Sequence, residues 1–588
     1  MKIKVLLPIL ILALMSSVFS QEIDFKSIHQ EQSEFYRNFI ISQKDSIFQT
    51  KVIRGTVKYQ LAKRVFGYDP YWSGNDYVNY QWDLLSDLCH FSYEVNPATG
   101  DPVTTHNWDS SPAIDSALAY NVKVHLCITL FSGHYTFFQN PEAQQNLINT
   151  IITMIQNRGA HGVNMDIEAL PSSLGSEFTD FIKDLSGQME LIIPEAELSI
   201  ASPAVNWNGT FNIPVLAEYI DFFMVMGYDY YWNSSSQAGP VSPLYSMTAN
   251  YDYNFSKTIS YYQSQGVHPE KLIMGVPYYG RQWPTQGQYA PSSVSGSGTA
   301  YTYRYVQINS SIYTNENKHW EPNSYAPYFA FYNNNGWYQC FMDDTYSLAK
   351  KYDQINRRNI AGIGIWALGY DNGFTELWEL IADKFTKTAI PVAADTIFDT
   401  GGPSFNYYEN EDYTYTISSP ENTTIYLSFS YLNLEEVYDS IWIFDGTDTL
   451  SPLIGGYSGS NVPTLISSSS NSITLKFNSD NGISDAGWRA VYDTIPVSAV
   501  EEHVLENHLS IYPNPATNDV TIFFPDRNCE GQAKIRILDS KGILVNDYAI
   551  ICNQDNLTFQ INGQSRGVYF VLFEMNGKIL GKQKLIIN

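Results

Sequence analysis

Between about residues 61 and 388, short apolar runs alternate with amphipathic segments, a rhythm that predicts repeated βα units around a parallel sheet. Eight runs read as strands: roughly Arg64 to Tyr68, Leu88 to Tyr93, Lys123 to Leu130, Gly162 to Glu168, Leu198 to Pro203, Asp221 to Tyr228, Leu272 to Tyr279 and Gly362 to Ala367. The clearest helix precedes the fourth. Asn140 and Pro141 start it, Leu147, Ile148, Ile151, Ile152 and Ile155 recur at helical spacing, and Gly159 ends it. Eight such units predict an α/β fold, a (β/α)8 TIM barrel whose functional end is the C-terminal end of its strands.

The fourth run, His161 to Glu168, breaks the apolar pattern. Period-two alternation puts Gly162, Asn164, Asp166 and Glu168 on one face and Val163, Met165 and Ile167 on the other. Carboxylates are rarely buried without a chemical reason. Leu170 and Pro171 end the run, so Glu168 falls at the strand's C-terminal end, while His161 lies at its remote beginning, where packing is the expected role. Two carboxyls two residues apart on one face repel each other and push one pKa upward, with Glu168 the expected holder of the proton. Asn164 beside them removes one negative neighbour from Asp166.

Outside the barrel the pattern changes. Pro284 to about Met342, rich in Ser, Gly, Tyr and Asn, is too long for an ordinary loop and predicts an α+β subdomain inserted between strands seven and eight, walling a groove with the loop bearing Tyr230, Tyr231 and Trp232. After about residue 395, short alternating strands predict two all-β sandwich domains, 395–495 and 509–588, joined by a charged linker at 496–508. Residues 1–20 combine Lys2 and Lys4, an apolar stretch and a small-residue end, the layout of a secretory signal peptide, which predicts a mature start at Gln21. No other run is long enough for a membrane span. For the N-terminal segment 21–60 the pattern assigns no role.

A formal charge of -26 excludes nucleic acid and anionic membrane as expected partners, both of which need clustered Lys and Arg. Aromatic residues at 15%, with 44 Tyr and 12 Trp, suit stacking on sugar faces as well as filling β-rich cores. The five cysteines are too few and scattered for a disulfide framework or metal site, with Cys529 and Cys552 the one pair expected to bridge.

Several strand ends carry motifs that resemble glycoside hydrolase family 18, the chitinase-like barrels. HGVNMDIE at 161–168 resembles the fourth-strand signature DGxDxDxE, with His161 and Asn164 where the common signature has Asp. MGYD at 226–229 is similar to MxYD, ASPA at 201–204 to the fifth-strand end, FSG at 131–133 loosely to the third-strand SxGG, and Trp366 in GIWALGYD to the eighth-strand tryptophan. GYDPYW around Tyr68, Asn164 and the WALGYD ending resemble the bacterial branch that includes spore-cortex-type glucosaminidases. The resemblance implies hydrolysis at N-acetylglucosamine with retention, without a catalytic cofactor and without a second carboxylate nucleophile, because the substrate's own 2-acetamido group attacks the anomeric carbon. It implies Glu168 as general acid and base, Asp166 as the group that orients the acetamido nitrogen and stabilises the oxazolinium ion, and Tyr228 as donor to the acetamido oxygen. Tyr68, Asn164, Met226, Asp229 and Trp366 are the expected sugar-binding residues. Chitin or chito-oligosaccharide is the first substrate, peptidoglycan and N-glycan cores the next, and a catalytically silent sugar-binding barrel the rival.

YDSIWIFDG at 438–446, FNSD at 477–480 and GWRAVY at 487–492 resemble a CUB domain lacking its usual cysteines. In calcium-binding members the matching acids would be Glu435, Asp439 and Asp480, which are otherwise a solvated acidic loop. IYPNPATNDV at 511–520, RGVYFV at 566–571 and the ending KQKLIIN resemble the type A sorting domain of the Bacteroidetes type IX secretion system. This implies that machinery as partner and a secreted or cell-surface location.

Overall fold

The computed structural model describes residues 26–37, 59–333, 336–496, 509–523, 533–540, 542–550, 556–561, 563–575 and 578–588. The expected signal peptide, residues 497–508 of the expected linker and the Cys529–Cys552 pair lie outside them, whereas Cys89, Cys127 and Cys340 are buried free thiols.

Eight parallel strands close into a barrel: Arg64–Pro70, Asp87–Val95, Lys123–Leu130, Gly162–Ile167, Glu197–Pro203, Phe222–Met226, Leu272–Pro277 and Gly362–Trp366. Each pairs with the next in sequence, and the eighth pairs with the first. The expected strands six and seven are shorter than the apolar runs suggest. Strand six spans Phe222–Met226, so Tyr228 lies two residues past its end. Strand seven stops at Pro277, and the apolar run Leu272 to Tyr279, expected as one strand, turns at Tyr278 so that Tyr279 opens the inserted subdomain.

Helix Pro141–Arg158 shows why the local signals worked. The Asn140 side chain accepts from Ala143 N at 3.2 Å, and Gly159 takes φ 64, the left-handed cap a β-carbon disfavours. Its Leu147, Ile148, Ile151, Ile152 and Ile155 are buried, each contributing about 1.5–3 kcal/mol relative to exposure. At the N-terminal end of the barrel, Arg64 pairs with Asp87 and, at 2.8 Å, with Glu197, while His125 Nε2 lies 2.9 Å from Asp87. Burial would raise the Asp87 carboxyl, but His125 and Arg64 outweigh it and hold it well below the usual carboxylate range.

The inserted subdomain is an antiparallel sheet in the order Thr299–Thr302, Tyr279–Thr285, Gly336–Phe341, Ala326–Asn333, Lys318–Glu321, with helix Tyr303–Ile308. It begins at Tyr279 rather than Pro284. Residues 395–496 form two four-stranded sheets around Ile425, Leu427, Ile441, Leu475, Phe477 and Trp488. This sandwich packs on the outside of the barrel. Arg357 of helix Thr345–Arg357 donates to Tyr415 at 3.1 Å, to Tyr492 at 2.9 Å and to Asp395 at 2.7 Å, and Arg358 lies 4.0 Å above the Tyr413 ring. Residues 498–588 form a separate unit of two small sheets around Val520, Ile522, Ile535, Val571 and Leu585. No helix among the described residues is long and apolar enough to cross a membrane.

A further helix, Ile28–Arg37, belongs to none of these layers. It docks at the C-terminal end of the barrel strands.

Candidate active site

Strand four delivers its polar face in layers. Asn164 is lowest, paired in register with Cys127 and Ser199. Its Oδ1 accepts from Tyr68 OH at 2.8 Å, and its Nδ2 donates to Ser199 Oγ at 2.9 Å. Asn164 is wholly buried, with both ends of its amide engaged, so the structure uses it to support the floor and not as a group facing sugar. Asp166 is the next layer and is also fully buried. Glu168 follows the strand's last residue, its carbonyl accepting from His134 at 2.9 Å, and Ala169 turns the chain away at φ 52. A non-glycine residue in that region costs about 1–3 kcal/mol and persists where the surroundings impose it, often at a functional site.

Above these carboxylates lies a chamber walled by Tyr68, Phe91 and Tyr228 and floored by Trp366. Its occupant is His29. The imidazole stacks on Trp366 with centroids 3.6 Å apart and planes 25° apart. Nδ1 sits 2.8 Å from Asp166 Oδ2 and 3.1 Å from Glu168 Oε1, and Nε2 sits 2.8 Å from Tyr228 OH. Burial alone would strip the imidazole of its proton, but Asp166 and Glu168 outweigh it and lift the pKa to about 9. The ring is therefore a cation donating from both nitrogens. Glu168 Oε1 touches it as an ion pair without a well-formed hydrogen bond, and Asp166 Oδ1 has no hydrogen-bond partner. Unsatisfied buried acceptors of this kind call for an explanation.

Burial and then the Asp166 charge raise the Glu168 pKa, while His29 and Ser27 pull it down. Tyr228 is pushed well above 10 by burial and by Asp166, which keeps its hydroxyl a donor. Asp229, at φ 55, accepts from Tyr279 OH at 2.7 Å and lies 3.4 Å from Arg281 Nη2.

From Glu168 outward, a cleft of about 400 Å³ continues between Trp207, Met226, Asp229, Trp232 and Tyr253. Trp207 is 58% exposed, an open aromatic face of the kind that stacks on sugars. Tyr230 and Trp232 line the cleft, while Tyr231 packs beneath in a small core with Trp283 and Tyr328. Among the described residues, none of the sandwich lines it. His161 is remote, its Nδ1 accepting from Val124 N at 3.1 Å.

Sequence reasoning missed the N-terminal helix and its contacts. Gln32 Oε1 accepts from Trp366 Nε1 at 2.9 Å and from Tyr370 OH at 2.6 Å, and Glu31 binds Arg281 at 3.0 Å. The available signal was the helical spacing of Ile28, Gln32 and Tyr36, in which the polar Gln32 interrupts the apolar positions.

In the sandwich, carboxylate oxygens of Glu435, Asp439 and Asp480 come within 4.8 Å of one another. Asp439 is buried and accepts from Tyr407 OH and, at 2.9 Å, from Asp480 N, so the trio is built rather than splayed. All its donors are hard oxygens, which fits calcium.

Known proteins share each part. Residues 389–492 match the CUB domain, and 510–588 match the secretion system C-terminal sorting domain, which indicates type IX export to the cell surface or beyond. A cortical fragment-lytic enzyme of Bacillus anthracis is 22% identical over 326 residues, 52% of this chain and 69% of that protein. Human di-N-acetylchitobiase is 26% identical over 285 residues, 42% of this chain and 70% of its own length. A Caenorhabditis elegans protein named "Probable endochitinase" is 26% identical over 250 residues, 38% of this chain but 39% of that protein, so the chain spans well under half of this relative. Among solved structures, a Cycas revoluta chitinase in complex with (GlcNAc)3 superposes at TM-score 0.49 with 19% identity, over 55% of this chain and 99% of the other. Residues 64–371, more than half of the chain, match the glycosyl hydrolases family 18, and the chain belongs to that family.

Proposed function

We propose that the protein is a secreted, retaining glycosidase that cleaves β-1,4 linkages at N-acetylglucosamine by substrate-assisted catalysis, with chitin or chito-oligosaccharides as substrate. The observation that carries this reading is the convergence of Asp166, Glu168 and Tyr228 on one flat, cationic ring stacked on Trp366. A pyranose in that place would stack on the same indole. Its acetamido nitrogen would meet Asp166 and its acetamido oxygen Tyr228. Glu168, whose raised pKa favours the protonated form, would face the glycosidic oxygen at the mouth of the open cleft. As the acetamido oxygen attacks the anomeric carbon and the glycosidic bond breaks, Glu168 gives its proton to the leaving oxygen. Asp166 then balances the oxazolinium charge, and Glu168 takes a proton from the water that opens the ring. Asp166 and Glu168 share one strand face, so neither stands across the sugar as a conventional second carboxylate would.

Three further assignments belong to this reading. Residues 1–20 are the signal peptide that precedes type IX export. Glu435, Asp439 and Asp480 hold a calcium ion that ties their loops together. Asp229 and Met226 contact the sugar from the sixth-strand end.

The test incubates the chain, with and without residues 26–37, and its Glu168→Gln variant with chitin oligomers, muropeptides and N-glycan cores. Products are read by mass spectrometry and early-time NMR. Cleavage of chitin oligomers to the β-anomer, lost by several orders of magnitude in the variant, is expected. Cleavage of muropeptides or N-glycan cores alone would move the substrate to that glycan, and binding without turnover in every form would make the barrel a lectin.

A further inference from the structure

We propose that residues 27–37 are an autoinhibitory plug, an intramolecular ligand whose His29 ring and Gln32 amide fill the sugar chamber and keep the enzyme latent until the segment leaves. This inference rests on reading the chamber as the N-acetylglucosamine site.

The helix is built for the site and not for the core. An ordinary surface helix buries its apolar stripe. Here His29, Gln32 and Ser33 are buried alongside Ile28, while Phe35 is 55% exposed. The His29 ring and the Gln32 amide oxygen are spent on the site. His29 meets Asp166, Glu168 and Tyr228, and Gln32 meets Trp366 and Tyr370. Outside the chamber, Glu31 to Arg281, Arg37 to Glu94 at 2.7 Å, and Tyr36 stacked on Trp72 at 5.0 Å fasten the helix to three different parts of the rim.

The chemistry of the plug matches what the reaction itself creates. Substrate-assisted cleavage develops a flat, delocalised cation above the tryptophan, against the inner carboxylate. The protonated imidazole is such a cation, stacked on the same indole and bonded to the same carboxylate. Sites that stabilise a transition state bind its charge and shape more tightly than those of the substrate. With ring centroids 3.6 Å apart, no pyranose fits between His29 and Trp366. The outer cleft stays open, lined in part by Ser27 and Ile28, so an oligosaccharide could enter it yet not reach across Glu168.

Covalent attachment completes the device. A tethered segment acts at an effective concentration of the order of mM, which is lost when the tether is cut. Cleavage between Arg37 and Tyr59 would turn a permanent occupant into a dilute competitor.

The experiment places a site-specific protease sequence between residues 38 and 58 of the full chain and compares uncut chain, cut chain and a His29→Ala, Gln32→Ala double variant. Hydrogen exchange reads docking of residues 27–37, hydrolysis of chito-oligosaccharides reads latency, and (GlcNAc)4 binding is measured in the Glu168→Gln background. Expected are protected amides in the uncut chain and at least a tenfold rise in kcat/KM on cutting and in the double variant. A synthetic 26–37 peptide should inhibit the cut chain, and its His29→Ala form should not. Equal kcat/KM in the uncut and cut chains would overturn the plug. If no form hydrolyses any substrate, the glycosidase reading fails on its own. The plug is then judged by (GlcNAc)4 binding, kept if cutting strengthens it and rejected if binding is unchanged.

Discussion

His29 and Asp166, 137 positions apart in the chain, are joined by a 2.8 Å contact between Nδ1 and Oδ2 with neither side chain reachable by solvent. A buried imidazolium against a buried carboxylate is stable only while the proton stays, so docking of the helix is linked to pH. His29 rises from 6.5 to about 9 on docking, with Asp166 and Glu168 as the cause that overcomes burial. A raised pKa contributes stability that is complete below the undocked value and lost as pH rises through the docked one. Among the described residues, Tyr68, Tyr228, Tyr370 and the Cys127 thiol are further titratable groups around the chamber, and burial also holds Tyr370 well above its ordinary value. Tyr68, Tyr228 and Cys127 are pushed well above their ordinary values by burial, so they stay neutral through this window. Arg281 and Glu31 at the rim keep each other paired. The ratio of kcat/KM between cut and uncut chains should be largest below pH 6.5 and fall toward one as pH approaches 9 and beyond. A His29→Gln chain should show a flat ratio.

Release should also sharpen the acid. His29 and Ser27 both lower the Glu168 pKa in the docked state, whereas burial and Asp166 raise it. In the cut chain with a sugar in the helix's place, Glu168 stays buried but loses the two opposing influences, so it should hold its proton to higher pH. Carboxyl infrared difference spectra of the two forms, with Glu168→Gln as the control, should show the protonated band persisting further into the alkaline range after cutting.

Asn164→Asp would place a third carboxylate beneath Asp166. Tyr68 OH can still donate to it, but the donor to Ser199 is lost in a fully buried layer, at about 1–3 kcal/mol. The added charge disfavours further ionisation in the pair above, so the alkaline limb of the cut chain's pH profile should move upward. An unchanged profile in a folded variant would show that position 164 does not tune the site.

Arg64→Met should destabilise the barrel by about 3 kcal/mol, because it leaves Asp87 buried beside His125 without its guanidinium partner. Urea unfolding followed by tryptophan fluorescence measures it. A double variant that also replaces Asp87 by Asn should recover part of the loss, since the uncompensated charge is then gone.

Calcium titration of the full chain by calorimetry should give heat that disappears in Asp439→Asn. Asp439 is the buried member of the trio and organises both Tyr407 and Asp480. Absence of heat in the unaltered chain would leave Glu435, Asp439 and Asp480 as an acidic loop.

Much of the architecture was legible in the chain because its signals are local. Alternation along residues 162–168 determined that Asn164, Asp166 and Glu168 share a face, and Asn140, Pro141 and Gly159 marked a helix whose bounds came out as Pro141–Arg158. Strand ends were less legible. Tyr279 continues the apolar run of strand seven in sequence, yet the chain turns before it, and whether an apolar residue extends a strand depends on which neighbour offers it a ladder. The sequence by itself determined the barrel and the shared polar face of its fourth strand, since period and motif span only a few residues. Only the tertiary structure decided what sits in the chamber, because the docking of residues 27–37 is made of contacts between positions 137 to 338 apart and by polar side chains whose value appears only once Asp166, Tyr228 and Trp366 are gathered around them.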